Sequence, residues 1–326
     1  MFCIKKGCSV KKQDPVGYTC PPVLLIIFNR PNLTQRVFAC IREARPARLF
    51  VAADGPRPDY PGEEQICAAT RRVVDQVDWP CEVKTLFWEQ NLGCKHAPSS
   101  AITWFFKQVD EGIILEDDCL PDPSFFPFCA DLLERFRDDS RVFMVSGTND
   151  LGTWKATQYS YFFTLGNTWG WATWKRAWQH FDLELKLWTD EIAQHNMRVF
   201  SQRAPYLAED IANGCRAVLQ ENLDTWDYQW AFDRIAHSGL GVIPVVNLVS
   251  NIGFGKDATH TTSHDFPYAD TPVYAMQFPL RHNLDMRIDF EYYTQSHEAM
   301  QSPILDRAKQ RLKICHRRLW NLIYRK

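Results

Sequence analysis

Apolar runs of strand length alternate with amphipathic stretches through the first half of the chain. "VLLIIF" at 23–28 is followed by "PNLTQRVFACIREA", where Leu33, Val37, Phe38 and Ile41 fall at helical spacing. The pattern then repeats: "RLFVAAD", a helical "GEEQICAATRRVVDQV", "CEVKTLFW", a helical "HAPSSAITWFFKQV", and "GIILEDD". A further helix is predicted from Pro123, with Asp122 as its N-cap and proline at the favoured first helical position, before "RVFMVSG". Such alternation predicts a mainly parallel α/β sheet with helices on both faces. Ligands bind such sheets beyond the carboxyl ends of the strands. Those ends read Phe28-Asn29-Arg30-Pro31, Ala53-Asp54-Gly55 and Leu115-Glu116-Asp117-Asp118, one cation and several carboxylates aimed at one edge.

The second half is less regular and rich in aromatic residues. Trp171, Trp174 and Trp178 stand at i, i+3 and i+7, a helix stripe that packs into a core. Trp169 and Trp171, flanked by Gly166 and Gly170, are candidates to line a pocket, because glycine lets backbone and rings approach a ligand. Near the end, Leu305, Ala308, Leu312, Cys315, Leu319 and Leu322 form one apolar stripe among basic residues, with no acid between 307 and 326. A basic amphipathic helix suits an anionic membrane surface; docking on the domain with a solvated basic back is the other reading. The expected organisation is a tail at 1–20, one domain at 21–270 and a C-terminal extension at 271–326.

Composition narrows the class. With 326 residues, 45% hydrophobic and 23% charged, the chain is long enough for a full core. A formal net charge of -2 argues against nucleic acid as a partner. The 11 cysteines show no C-x-x-C pair or zinc spacing, which fits free thiols in a reducing cytoplasm. No run approaches the ~20 apolar residues of a spanning helix, and the start lacks the apolar core of a secretory signal.

The chemistry concentrates in "GIILEDDCLPDP". Three adjacent carboxylates are costly to ionise together unless something positive sits beside them. Hard oxygen ligands suit Mg²⁺ or Mn²⁺, which bind through one or two carboxylates completed by phosphates and water. The cluster therefore reads as the meeting place of a divalent ion and a nucleotide diphosphate, or, with no function, as acids that end a strand. A calcium loop is excluded by the missing D-x-D-x-D-G spacing. Asp227, set among Trp226, Tyr228 and Trp230, is expected to be partly desolvated and so suited to act as a base.

"PVLLIIFNRP", "VAADG", "KHAPSSAITWFF", "GIILEDDCLPDPSFFPF", "VSGTND", "GWATWKRAW", "TWDYQW" and "VSNIGFG" follow in that order from about Pro22 to His260. On these the chain resembles GT-A-fold glycosyltransferases. It is most similar to the N-acetylglucosaminyltransferase I type, which moves GlcNAc from UDP-GlcNAc, and to a bacterial subgroup of nucleotide-diphospho-sugar transferases. The resemblance implies a Rossmann-like GT-A fold and a Mn²⁺ or Mg²⁺ cofactor. It implies that Arg30 and Asp54 contact the nucleotide, Asp54 accepting from uracil, with His96 near the base. Asp118 would coordinate the metal, Asp117 would reach the ribose or phosphates, and Glu116 would face the donor sugar. Asp227 would be the catalytic base, with Trp226 beside it in the donor site. The implied reaction is displacement at the anomeric carbon with inversion, from a UDP-sugar to a saccharide or lipid-linked acceptor.

The chain departs from the pattern where a second acid follows the base, since Tyr228 stands there. The eukaryotic relatives carry an N-terminal membrane anchor; a cytoplasmic enzyme of surface polysaccharide or glycolipid synthesis is the expectation here. His260 and His264 read as surface-loop histidines, with a place in the metal shell as the alternative. Rival readings are a sugar nucleotidylyltransferase, against which "FNRPNLTQR" lacks the glycine-rich phosphate loop, a non-catalytic binder on the same fold, and a retaining transferase.

Overall fold

The computed structural model describes residues 17–254 and 271–301. The N-terminal tail up to residue 16, His260, His264 and the basic stripe from Leu305 lie outside the described residues.

The first half folds as the pattern predicts: β1 (Val23–Ile27), α1 (Pro31–Ala44), β2 (Arg48–Ala53), α2 (Glu63–Arg71), β3 (Glu82–Phe87), α3 (Gly93–Phe106) and β4 (Glu111–Glu116). There follow β5 (Cys119–Pro121), α4 (Phe125–Arg135), β6 (Val142–Ser146), β7 (Tyr161–Thr164), β8 (Trp171–Trp174) and α5 (Lys175–Trp178). The order closes with α6 (Glu191–Ser201), α7 (Pro205–Leu219), α8 (Asp227–Ala236), β9 (Leu240–Pro244), β10 (Val249–Asn251) and α9 (Phe290–Gln301).

Eight strands form one sheet in the order β3-β2-β1-β4-β8-β6-β9-β7. The β3-β2-β1-β4 half is parallel; β8 runs antiparallel between β4 and β6, β9 is parallel to β6, and β7 is antiparallel to β9. The fold is thus an α/β sandwich on a mixed, mostly parallel sheet. Because β8 reverses, its start lies on the same edge as the ends of β1, β2, β4 and β6. That edge gathers Arg30, Asp54, Glu116–Asp118, Trp169 and Gly147–Asp150.

All five residues of β1 are buried, so the strand reads as a continuous apolar run, as a strand covered on both faces must. Val23, Leu25 and Ile27 join the core under α1 and α4, while Leu24 and Ile26 face Phe105 and Ile102 of α3. Helix α1 buries Thr34, Val37, Phe38 and Ile41. A third cluster joins α6, α7 and α8 through Phe200, Ile211, Cys215 and Phe232.

Two expectations fail locally. The tryptophan stripe is not one helix: Trp171 and Trp174 belong to β8 and only Trp178 lies in the single turn of α5. Spacing of three and seven fits both readings when a strand hands over to a helix inside the window. Helix α4 starts at Phe125, and Asp122 does not cap it; its Oδ1 instead accepts from Ser124 N at 2.9 Å, an Asx turn ahead of the helix.

The described part of the extension, 271–301, packs on the same body. Ser160 N donates to Arg281 O at 2.9 Å, Asp289 N to Phe163 O at 2.8 Å, and Asp150 N to the Tyr292 hydroxyl at 2.9 Å. Tyr292 is buried against Phe162 of β7.

Candidate active site

Arg30 leaves the end of β1 and pairs with both aspartates that end β4. Its Nη2 contacts Asp117 Oδ1 and stands 3.0 Å from Asp118 Oδ2. Asp117 is the inner member, its side chain 3% exposed, and its other oxygen accepts from Phe28 N at 3.3 Å. Asp118 is 15% exposed and Glu116 is half-buried, so these two carboxylates, rather than Asp117, are open to a ligand.

Three acids here meet one guanidinium. Burial, with the charges of Asp118 and Asp117, pushes Glu116 up to about 8. Burial likewise raises Asp117 to about 6, against the opposing pull of Arg30. Burial by itself would lower Arg30, but Asp117 and Asp118 more than reverse it. The surplus of negative charge suits a hard divalent cation. Among the described residues no three metal-ligating side chains converge, so phosphate and water oxygens would have to complete a shell begun by Asp118.

A residue that sequence reasoning missed closes this cluster from outside. Strand β10 pairs antiparallel with β5, Asn251 opposite Cys119, and Ile252 N donates to Asp118 O at 2.9 Å. The chain then lays Gly253 over the ion pairs. A Cβ there would overlap Asp118 Oδ2 and lie 2.9 Å from Arg30 Nη1. Its signal in the sequence was the motif "VSNIGFG", in which no residue had been given a role.

Asp54, at the end of β2, is engaged by the protein itself. Its Oδ1 accepts from Gly55 N and Leu92 N, each at 2.8 Å, and its Oδ2 from Asn91 Nδ2 at 2.8 Å and Gly93 N at 3.2 Å. Burial raises its pKa, opposed by those backbone donors. With four donors already engaged, Asp54 holds the loop before α3, and a uracil N–H would have to displace one of them. His96 is exposed on the first turn of that helix.

Asp227 begins α8 and is exposed, so the enclosure expected from its aromatic neighbours does not occur. Consecutive helical residues point about 100° apart; Trp226 and Trp230 turn inward while Asp227 faces out. Its Oδ1 accepts from Thr225 Oγ1 and from Tyr228 N at 3.0 Å. Asp227 nevertheless acts electrostatically on Glu116, and together with Glu116, Asp224 and Asp118 it adds to burial in pushing the Cys94 thiol up. The fold therefore brings residues 94, 116, 118, 224 and 227 into one neighbourhood.

The tryptophans divide. Trp171 is 0% exposed and Trp226 3%; their rings stack at 6.0 Å inside the core, with Trp178 and Trp230 around them. Trp171 is thus a core residue and not a pocket wall, because β8 lies in mid-sheet with both faces covered. Trp169 is half-buried and packs edge-on against Phe254 at 5.7 Å. It borders a small hollow with Thr148, Asp150 and Asn251. The larger cavity, about 710 Å³, lies off β7 between Tyr159, Arg203 and Phe290, away from the carboxylates. Four of its charged groups pair with one another, Lys155 with Asp289 and Arg287 with Asp285, and Arg203 lies over the Phe290 ring.

No family model matches the chain, and no curated protein matches it. Among solved structures it is similar to HddC from Yersinia pseudotuberculosis, at 9% identity over 52% of this chain and 84% of that one, TM-score 0.32. UDP-glucose pyrophosphorylase complexed with UDP-glucose matches at 9% identity over 71% and 93%, TM-score 0.34. The inositol-1-phosphate CTP transferase from T. maritima matches at 9% identity over 87% and 100%, TM-score 0.36. At such scores no residue role passes from these proteins to this chain.

Proposed function

We propose that the chain is a divalent-metal-dependent transferase that moves a sugar from a UDP-sugar to an acceptor hydroxyl with inversion. The observation that carries this reading is the Arg30–Asp117–Asp118 constellation at the carboxyl edge of the sheet, with Asp227 in electrostatic reach of Glu116. Arg30 and Asp117 form a fixed pair beneath the diphosphate. Asp118 is the residue that would hold Mg²⁺ or Mn²⁺, which when bound supplies Lewis-acid stabilisation of the departing phosphate oxygens. Glu116 faces the donor sugar, and exposed Asp227 is open to an acceptor and takes the proton of its hydroxyl. A saccharide or lipid-linked acceptor and UDP-GlcNAc as donor are the first partners to try. Surface polysaccharide or glycolipid synthesis is the setting that suits them. Among the described residues no helix is long and apolar enough to cross a membrane.

A sugar nucleotidylyltransferase would use the same edge, and UDP-glucose pyrophosphorylase is among the proteins of similar fold. Two features weigh against it. The β1–α1 connection, Phe28-Asn29-Arg30, has no glycine and opens directly into α1 at Pro31. The N-terminus of α3, another natural phosphate site, has its amides taken by Asp54 and Asp224.

The test is calorimetry of UDP with and without Mn²⁺ on the parent and Asp118→Ala, followed by a UDP-sugar panel assayed for UDP release. Metal- and Asp118-dependent binding with UDP release supports the transferase. Formation of UTP from UDP-sugar and pyrophosphate would establish the nucleotidyl reading instead. Binding with neither reaction would leave a non-catalytic binder.

A further inference from the structure

We infer that the first turn of α3 is a clamp closed by two distant carboxylates, and that Asp224 is the positioning residue that sets Asp227 opposite the Glu116–Asp118 cluster. This rests on the transferase reading above for its catalytic consequence, though not for its geometry.

A helix begins with backbone N–H groups that have no partner within the helix, and a serine, threonine, aspartate or asparagine at the N-cap usually accepts from them. Helix α3 has Leu92 at that place, which offers no side-chain acceptor. Its donors are satisfied from elsewhere. Asp54 takes Leu92 N and Gly93 N at 2.8 and 3.2 Å; Asp224 takes Cys94 N and Lys95 N at 2.8 and 2.9 Å. One carboxylate comes from the end of β2 and the other from the linker between α7 and α8, about 130 residues along the chain.

Gly93 records how close the second approach is. Its φ is +78°, and a Cβ would overlap Asp224 Oδ2 and lie 3.2 Å from Cγ. Any other residue there would meet both backbone strain and the carboxylate.

Asp227 lies three residues beyond Asp224, and little slack separates them. Thr225 O accepts from Gln229 Nε2 at 2.8 Å, Thr225 Oγ1 bonds Asp227, and the Trp226 ring is locked into the core. Without Asp224 the α7–α8 linker would lose its two bonds to the α3 amides, while Trp226 and Trp230 would still anchor the inner face of α8 in the core. Cys94 is bound through its amide to Asp224 and feels the charges of Glu116, Asp227 and Asp118, so the clamp shares their surroundings.

The experiment compares the full chain with Asp224→Ala, Asp224→Asn and Gly93→Ala. UDP binding with Mn²⁺ is read by calorimetry, and kcat and donor KM by UDP release. Backbone amide exchange is read at 93–96 and 224–229. Expected for Asp224→Ala is parent-like UDP affinity and donor KM with kcat reduced up to about 100-fold, the cost of a small misplacement. Asn, which keeps one acceptor oxygen, should restore part of kcat, and Gly93→Ala should reproduce the defect. Exchange should quicken in those two segments alone. Parent-like kcat in Asp224→Ala, or kcat and UDP affinity falling together with exchange quickened throughout, would overturn the inference. A parent that neither binds UDP nor turns over removes the transferase reading, and exchange alone then decides the clamp: unchanged rates in Asp224→Ala would end it.

Discussion

Gly253 and Asp118 show how closely backbone is laid over charge at this edge. Because a Cβ at 253 would overlap Asp118 Oδ2, Gly253→Ala has to push the carboxylate or the β10 exit aside. The β5–β10 pairing should survive, since its last pair, Asn251 with Cys119, lies two residues earlier. The expected outcome is a loss of Mn²⁺-dependent UDP affinity of at least about tenfold, equal to 1.4 kcal/mol, with a melting temperature within a few degrees of the parent. Calorimetry and thermal melts on the same sample check both halves. Asp54 makes the complementary point: a strand-end acid can hold a loop with both of its own oxygens engaged by the protein.

Helix α8 carries two tasks on opposite faces. Inward, Trp230 packs with Trp171 and Trp178, so Trp171→Ala should cost about 3–5 kcal/mol of stability in chemical denaturation. Trp171→Phe, which keeps much of the volume, should bind UDP as the parent does; lost affinity in that variant would return Trp171 to the ligand site. Farther along the same helix, Asp233 is fully buried. Its Oδ2 accepts from Asp182 N at 2.8 Å, and its Oδ1 has no hydrogen-bond partner among the described residues. Burial raises this acid to about 8. The folded state therefore holds its proton where the unfolded chain, at about 3.9, has lost it. The stability linked to Asp233 is complete below about 4 and is lost as pH rises through 8. Asp233→Asn, neutral throughout and still able to accept from Asp182 N, should gain on the parent between pH 6 and 9 in urea melts. A gap that stays constant across that range would show that Asp233 is ionised in the native state.

At the scale of the whole molecule, a nucleotide and metal bound at the sheet edge should couple to the stability of the entire fold. A ligand bound only by the native state stabilises it by about 2.7 kcal/mol at a hundredfold excess over Kd. UDP with Mn²⁺ should accordingly raise the melting temperature by several degrees, whereas either alone, or both on Asp118→Ala, should give little shift. An equal shift from UDP without metal would detach Asp118 from the diphosphate.

The order of apolar runs determined the parallel half of the fold, because a strand covered on both faces has no polar position to spare and Val23–Phe28 and Gly112–Leu115 display that directly. The same reading located the edge where Arg30, Asp117 and Asp118 meet, since parallel strands end together. Sequence could not see which acids are committed. Asp54 is engaged by donors at 55 and 91–93, Asp224 by amides about 130 residues away, and Gly253 is pressed onto Asp118 by a strand pairing across half the chain. Nor could spacing tell that Trp171 lies in mid-sheet while Asp227, one residue after a buried tryptophan, faces solvent. Local patterning fixes which face of an element is apolar; only the packing of distant elements decides which of its polar groups still has a bond to offer.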